Sequence, residues 1–472
     1  MNTPFKLTAA ALALVLAGCA VTEPQTRVAI DMPRTYTEAR IAAPTAAVAG
    51  DWWKEFDSAE LDRLIDEALA GSADLRIAAE RIVQAEQVLR IADASLLPQI
   101  SAGAGASAGR TDPKGGDAVN RRATSLNVAM SYEIDLWGRL AAGVQAQEQQ
   151  INVSRFDAET VRLTLISSVA TTYFQLLNTR ARLVIARDNL ATAERVLKLV
   201  DARFRNGVAT SLDVSQQTTA VLQLRAALIP LEVTERQTTS ALAVLIGRVP
   251  QGFTVPPDDF AGVDVPAVSP GIPSELLTRR PDLASAEALL AAADANVAAA
   301  RAALLPSISL SASGGIASAA LLTLANPTNA LSIGLSLVQT IFDGGQKRAQ
   351  VAIEQSQRRV LIETYGSSVR TALKEVDDAL GNADRGARLE AAQQQTVDQA
   401  RRSLNLAEIR YREGAGDLLA VLDAQRSLFS AQDQLQQARL ERLAESVGLF
   451  KALGGGWQLP PQAIALRSGP RG

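Results

Sequence analysis

The chain has 472 residues, 47% hydrophobic and only 4% aromatic, with a formal net charge of -3. That balance, without a basic run, excludes nucleic acid as a partner. The absence of histidine removes the usual general base, metal ligand and pH switch. The single cysteine, Cys19, excludes an intramolecular disulfide.

Residues 1–18 read as a lipoprotein signal peptide: Lys6, an apolar run from Leu7 to Leu16, then Leu16-Ala17-Gly18-Cys19. The run is too short to span a bilayer comfortably and lies outside the fold. The residues alone also allow an ordinary signal with an incidental cysteine. Residues 19–50 are rich in Pro, Thr and Ala and show no period, which predicts an extended segment.

Residues 51–247 form a first structural repeat. Asp51-Trp52-Trp53-Lys54-Glu55-Phe56 precedes a helix from near Ser58, and a second helix follows Ser72. Pro98 ends that helix, and residues 99–107 alternate as a strand of small residues. Gly103, Gly105 and Gly109 have the wrong spacing for a phosphate loop. Arg110 to Arg122 reads as a polar loop. The next strand, residues 124–136, sets Leu126, Val128, Met130, Tyr132, Ile134 and Leu136 on one face. About ten alternating residues suit a membrane-spanning strand, or a half-buried strand of a soluble sheet. Trp137 stands where an interfacial girdle would lie.

A long helical hairpin, 139–247, follows Gly138. Leu176, Leu183, Leu190, Leu197 and Phe204 keep a spacing of seven, with Ala186, Ala193 and Val200 on a row of small partners. Asn206-Gly207 turns the chain, and Pro230 interrupts the return helix.

Residues 248–273 read as a Pro/Gly-rich linker, and residues 274–456 as a second repeat. Ala303-Leu304-Leu305-Pro306 echoes Ser95-Leu96-Leu97-Pro98, and Arg410-Tyr411-Arg412-Glu413-Gly414 echoes Arg203-Phe204-Arg205-Asn206-Gly207. The offset stays close to 207, the mark of an internal duplication. Strands are expected near 307–314 and 331–341, then a helical hairpin, 345–453, and a tail, 457–472. The hairpin's first helix carries Val369, Val376, Ala383, Val397, Leu404 and Tyr411 in a coiled-coil seam broken at Glu390.

Four candidate strands cannot close a membrane barrel, which starts at about eight. An open sheet would leave unpaired backbone groups in lipid. If the strands span a membrane, the barrel is shared between chains. The breakers Pro98, Gly138, Pro306, Gly344 and Gly345 then mark where strands pass into helices.

On Arg279-Arg280-Pro281-Asp282-Leu283, Ala300-Arg301-Ala302 to Pro306-Ser307-Ile308, and Tyr411-Arg412 through Leu422-Asp423-Ala424-Gln425-Arg426-Ser427-Leu428, the chain resembles the TolC-like outer membrane factors, in the lipoprotein branch typified by OprM and NodT. Trp52-Trp53 with Phe56, and Lys451-Ala452-Leu453-Gly454-Gly455-Gly456-Trp457, add to the likeness. The resemblance implies an α+β membrane protein: a long helical coiled-coil barrel joined to a β-barrel shared between three chains. It implies lipidation at Cys19, an outer membrane location and a large periplasmic part. It implies a homotrimer working with a periplasmic adaptor and an inner membrane pump, commonly of the resistance-nodulation-division type, exporting drugs and other small molecules. Without histidine, a nucleophile motif or metal-ligand spacing, neither an enzyme nor a cofactor is expected. By motif match, a periplasmic iris gate falls on Leu419 and Asp423. Tyr411 and Arg412 lie where neighbouring hairpins are tied together, and Asn206, Gly207, Glu413 and Gly414 where an adaptor docks. The residues alone also allow Leu419 as seam packing and Asp423 as a solvated residue or a partner of Arg426. The alternatives are the exit duct of a type I protein secretion system and a lipid-anchored coiled-coil scaffold without a pore.

Overall fold

The computed structural model describes residues 31–38, 48–112, 114–268 and 270–459. Cys19 and the signal segment lie outside them. Two compact units divide these residues. One contains residues 80–112, 114–155 and 285–367, the other residues 31–38, 48–79, 156–268, 270–284 and 368–459.

The duplication is visible element by element. Helices α1 (Ala59–Gly71) and α2 (Ala73–Ala94) open the first repeat, with strands β1 (Gln99–Thr111) and β2 (Val119–Ile134) after them. Helices α3 (Arg139–Arg205) and α4 (Ser211–Leu245) complete it. In the second repeat a single helical turn, Leu276–Arg279, stands in the place of α1. It leads to α5 (Pro281–Ala302), β3 (Ser307–Ser318), β4 (Thr328–Val338), α6 (Gln346–Arg412) and α7 (Leu418–Ala452). Helices α2 and α5 each have 22 residues, α3 and α6 each 67, α4 and α7 each 35. At 1.5 Å per residue, α3 and α6 are each about 100 Å long. Helix α4 continues through Pro230.

The first unit holds one antiparallel sheet in the order β1-β2-β3-β4. Its register settles which side chains share a face. Ile100 pairs with Met130, Met130 with Ala312, and Ala312 with Ile333. Tyr132 pairs with Leu310, and Leu310 with Leu335. The apolar residues of all four strands therefore fall on one face. Three strands run further from the helices than the alternation indicated. β1 reaches Thr111, β2 starts at Val119 and β3 reaches Ser318. The stretch 110–122 is mostly ladder, with Arg110 opposite Asn120 and Gly109 opposite Arg121. Backbone pairing continues there after the apolar face has ended. At the other end β2 stops at Ile134, leaving Leu136 outside it, and β4 spans Thr328–Val338, three residues upstream of its expected position.

The second unit buries Trp52, Phe56, Leu61, Leu64 and Ile65 against Tyr173, Phe174, Leu177, Leu443 and Phe450. Trp52 stacks on Phe450 with centroids 4.8 Å apart. Ser58 caps α1 by accepting from the Leu61 amide. The segment 248–273 is more than a connector: Val255, Phe260 and Val263 join this core. Arg180 donates to the carbonyls of Val255 and Pro256, and Arg439 to those of Phe260, Ala261 and Val263. Tyr173 donates to Asp258 at 2.6 Å. Upstream, Tyr36 is buried and the Thr37 amide donates to Asp377.

Along α6 the expected seam is buried at Val369, Val376, Val397, Leu404 and Tyr411. Along α3 the small row, Ala193 and Val200, is buried, while Phe204 on the leucine row is 45% exposed. A strict seven-residue row drifts around a helix of 3.6 residues per turn, so its far end leaves the seam. Glu390 interrupts the α6 seam because it is paired: Arg439 and Arg442 donate to its two oxygens at 2.8 and 2.7 Å. Burial alone would raise its pKa, but the two guanidinium groups outweigh that and hold it below the usual carboxylate range. Its contribution to stability is therefore present at neutral pH and lost as pH falls through the depressed value. Glu390→Gln should cost about 2 kcal/mol, since two half-buried cations lose their partner. Thermal melts should show the gap between variant and wild type closing in acid. An unchanged gap would remove the ion cluster from the account.

Candidate functional site

The sheet offers two unlike surfaces. Opposite its apolar face stand Ser101, Gly103 and Gly105 of β1, Ser125, Asn127 and Ser131 of β2, Ser309, Ser311 and Ser313 of β3, and Ser332, Gly334 and Ser336 of β4. Ser313 and Ser332 hydroxyls bond across the ladder at 2.8 Å. Between residues 125 and 131 of β2, and along all of β3 and β4, this face carries no charge. At its helical end Glu133 pairs with Arg139. On the apolar face Leu331, Ile333, Leu335 and Leu337 are 65–81% exposed. The outer edges of β1 and β4 have no strand beside them among the described residues.

The expected strand-to-helix breakers occupy these ends. Pro98 and Pro306 each precede the first residue of a strand. Gly138, Gly344 and Gly345 have φ of 72°, 64° and 89°, in the region where side chains are strained. Asp135 accepts from the Ala141 amide, and Asp343 from those of Gly345 and Lys347, so a carboxylate serves the orphan amides of each long helix. Those amide bonds, that of Lys347 first, hold the Asp343 carboxyl below the usual range. Trp137 donates from its indole to the Pro306 carbonyl at 2.7 Å, tying the end of the first strand pair to the start of the second.

In the second unit, α3 and α6 end in the same Schellman turn. The Val208 amide reaches back to the Arg203 carbonyl and the Ala415 amide to that of Arg410, at 2.9 and 2.8 Å. Gly207 and Gly414 take φ of 72° and 78° there. Thr210 and Asp213 form a capping box for α4, and Asp417 caps α7. Asn206, Gly207, Glu413 and Gly414 are all exposed at these tips.

Leu419 and Asp423 lie one turn apart on α7 and are both exposed, Leu419 by 65%. Their neighbours Leu418, Val421, Gln425 and Leu428 are buried. Leu419 is thus not seam packing within the chain, and Asp423 has no ion pair with Arg426 or with any other described residue. The matching position of the first hairpin, Leu212, is 62% exposed. Tyr411 is buried and Arg412 exposed. Arg203 of the first hairpin lies over the Tyr411 ring at 4.7 Å and donates to the carbonyls of Tyr411 and Arg412 at 3.0 and 3.3 Å. Burial raises the Tyr411 pKa despite this cation. Arg203 escaped the sequence reading. The echo of Arg203-Phe204-Arg205 in Arg410-Tyr411-Arg412 was its signal, since it marks Arg203 as a tip residue.

A membrane-type sheet together with paired, duplicated helical hairpins defines the class as a TolC-like channel. The chain belongs to the Outer membrane efflux protein family, which it matches over residues 64–248 and 272–455. It is 40% identical to the pyoverdine export outer membrane protein OpmQ of Pseudomonas aeruginosa over 463 residues, 96% of this chain and 97% of that one. It is 31% identical to the cation efflux system protein CusC of Escherichia coli O6:H1 over 464 residues, 97% and 100% of the two chains. The structure of the outer-membrane channel OprN superposes with a TM-score of 0.84 at 28% identity, covering 93% of this chain and 99% of that one. This protein is accordingly an outer membrane efflux channel with a large periplasmic part.

Proposed function

We propose that three copies of this chain build one pore, the exit duct of a tripartite efflux system for small molecules. The observation that carries this is the sheet: across its middle, apolar on one face and small and charge-free on the other, with both outer edges unpaired among the described residues. Such a sheet is stable in lipid only when its edges close on other chains. Three copies bring twelve strands, within the range of membrane barrels. An uncovered apolar stripe on α4, including Leu222, Ile229 and Val233, supplies a face for a neighbouring copy. Lipid attachment at Cys19 would add an anchor. The tips at Asn206–Gly207 and Glu413–Gly414 would receive the periplasmic adaptor, and an inner membrane pump of the resistance-nodulation-division type would load the duct. The serine-lined face suits hydrophilic cargo of either sign. The relative named for pyoverdine export favours pyoverdine-like small molecules as cargo.

Within this duct, Leu419 and Asp423 form an iris at the periplasmic end. Three leucines at an axis make a dry constriction, and three carboxylates a cation-attracting ring. In planar bilayers the purified wild type should show small, cation-preferring openings. Leu419→Ala should enlarge them several-fold, and Asp423→Ala should enlarge them and remove the cation preference. Large wild-type openings unchanged by both substitutions would move the gate elsewhere. No conductance from an intact oligomer would return the protein to the scaffold reading.

A further inference from the structure

The outer end of the sheet's apolar face carries features that conduction does not use. On β2 this face runs from Ile134 to Leu126, eight residue steps, or about 27 Å of strand. That length matches the apolar band of a membrane barrel, about 25 Å. Beyond Leu126 the same face continues through Thr124, Arg122 and Asn120, and across the ladder through Ala108 and Arg110. Ala108 pairs with Arg122 and Arg110 with Asn120, so the two arginines are diagonal neighbours about 7–8 Å apart. Both are exposed. Asp112 reaches Arg110 at 3.2 Å in an open surface pair. The Arg122 side chain has no hydrogen bond or ion pair among the described residues.

The connection between β3 and β4 folds over this same face. The Thr124 hydroxyl donates to the Ala320 carbonyl and accepts from the Leu322 amide, both at 2.8 Å. The Ser318 hydroxyl donates to the Ala325 carbonyl and accepts from the Ala320 amide at 3.2 Å. Thr124 and Ser318 both belong to the apolar face, so the loop is held on that side of the sheet. It contains no charge, and it exposes Leu321, Leu322 and Leu324 by 40%, 81% and 38%. Leu322 is held at φ 59°, a strained value for a leucine, and presents its side chain outward.

We propose that this surface binds the phosphorylated glycolipid of the outer leaflet. The leucines of the folded-back loop meet its acyl chains, while Arg122, four residues and about 14 Å of strand beyond Leu126, and Arg110, level with Asn120 and about 20 Å beyond Leu126, receive its headgroup phosphates. Charge complementarity selects this occupant. A zwitterionic phospholipid would satisfy the leucines but bring a phosphate already neutralised by its own ammonium group, leaving the charge of two arginines uncompensated, and a protein partner would have to displace lipid from the apolar band. The proposal rests on the sheet spanning the membrane.

The test is native mass spectrometry of the detergent-purified full chain, titrated with bisphosphorylated lipid A, with its dephosphorylated form and with phosphatidylethanolamine. The wild type should bind the bisphosphorylated lipid about tenfold more tightly than the other two. The R110Q/R122Q double variant should lose that preference, and the L321S/L322S/L324S variant should bind all three lipids more weakly while keeping it. Equal wild-type affinity for the three lipids would overturn the proposal. So would a preference that survives R110Q/R122Q, or one abolished by millimolar inorganic phosphate, which would indicate a simple anion site. Single-channel conductance equal to wild type shows that each variant is folded and inserted. A wild type that binds no lipid and forms no channel would instead fail the spanning reading.

Discussion

Gly454→Val is expected to leave no folded protein in the outer membrane. Gly454 sits at φ 89° just past α7, and a Cβ there would lie 1.9 Å from the Arg279 carbonyl oxygen. The first repeat has the same close approach: a Cβ on Gly247, at φ 77°, would lie 2.1 Å from the Gly71 oxygen. In both repeats the end of the return helix abuts the end of the opening helical segment, backbone against backbone. No side chain can move aside to make room. A β-branched residue adds the strain of the left-handed region to the overlap, for a cost above about 4 kcal/mol. The Trp52–Phe450 stack lies close by, since a Cβ on Gly455 would come within 3.2 Å of the Trp52 indole nitrogen. Gly207→Ala is the control: φ is also positive, but nothing lies within 4 Å, so it should cost only about 1 kcal/mol. The amount of protease-resistant oligomer in membranes separates the two. Wild-type levels of Gly454→Val would refute the packing argument.

Arg203→Ala should give the second largest effect, on gating. One guanidinium joins the two hairpin tips by a ring contact and two carbonyl bonds. Their combined worth is about 2–3 kcal/mol, enough to shift a two-state equilibrium more than tenfold. On the gating proposal its loss frees Tyr411 and Arg412, and the open probability in bilayers should rise about tenfold. Arg203→Lys should restore only part, because an ammonium cannot stack on the ring and bridge two carbonyls together. The melting temperature should fall by only a few degrees, since the large core of the second unit lies elsewhere along the helices. Arg203→Ala channels that gate like wild type would remove this contact from the iris.

These effects show where the sequence was readable. The seam from Val369 to Tyr411 and the 207-residue offset were visible because packing repeats with fixed periods. The apolar strand faces were visible for the same reason. The outer reaches of β1 and β2 were hidden, because at Arg110, Asn120 and Arg121 only the backbone ladder persists, and backbone pairing leaves no pattern of hydrophobic residues. The core role of Val255, Phe260 and Val263 was hidden among prolines and glycines, where burial follows from arginine-to-carbonyl clamps made far along the chain. Leu419 and Asp423 came from a motif resemblance. What the structure adds is their common exposure on α7 beside buried neighbours.

One measurement bears most directly on the proposal that three copies share a duct gated at its periplasmic end. It is the single-channel conductance of Leu419→Cys before and after mild oxidation, with the oligomer run on a denaturing gel alongside. Cys19 is the only native thiol, so the introduced one is easily followed. Convergence of three chains at the constriction predicts a reducible chain-to-chain cross-link, since a disulfide needs Cα atoms within about 7 Å. It also predicts that oxidation locks the conductance low and that reductant restores it. An intact conducting oligomer that neither cross-links at Leu419→Cys nor changes conductance on oxidation would contradict the account.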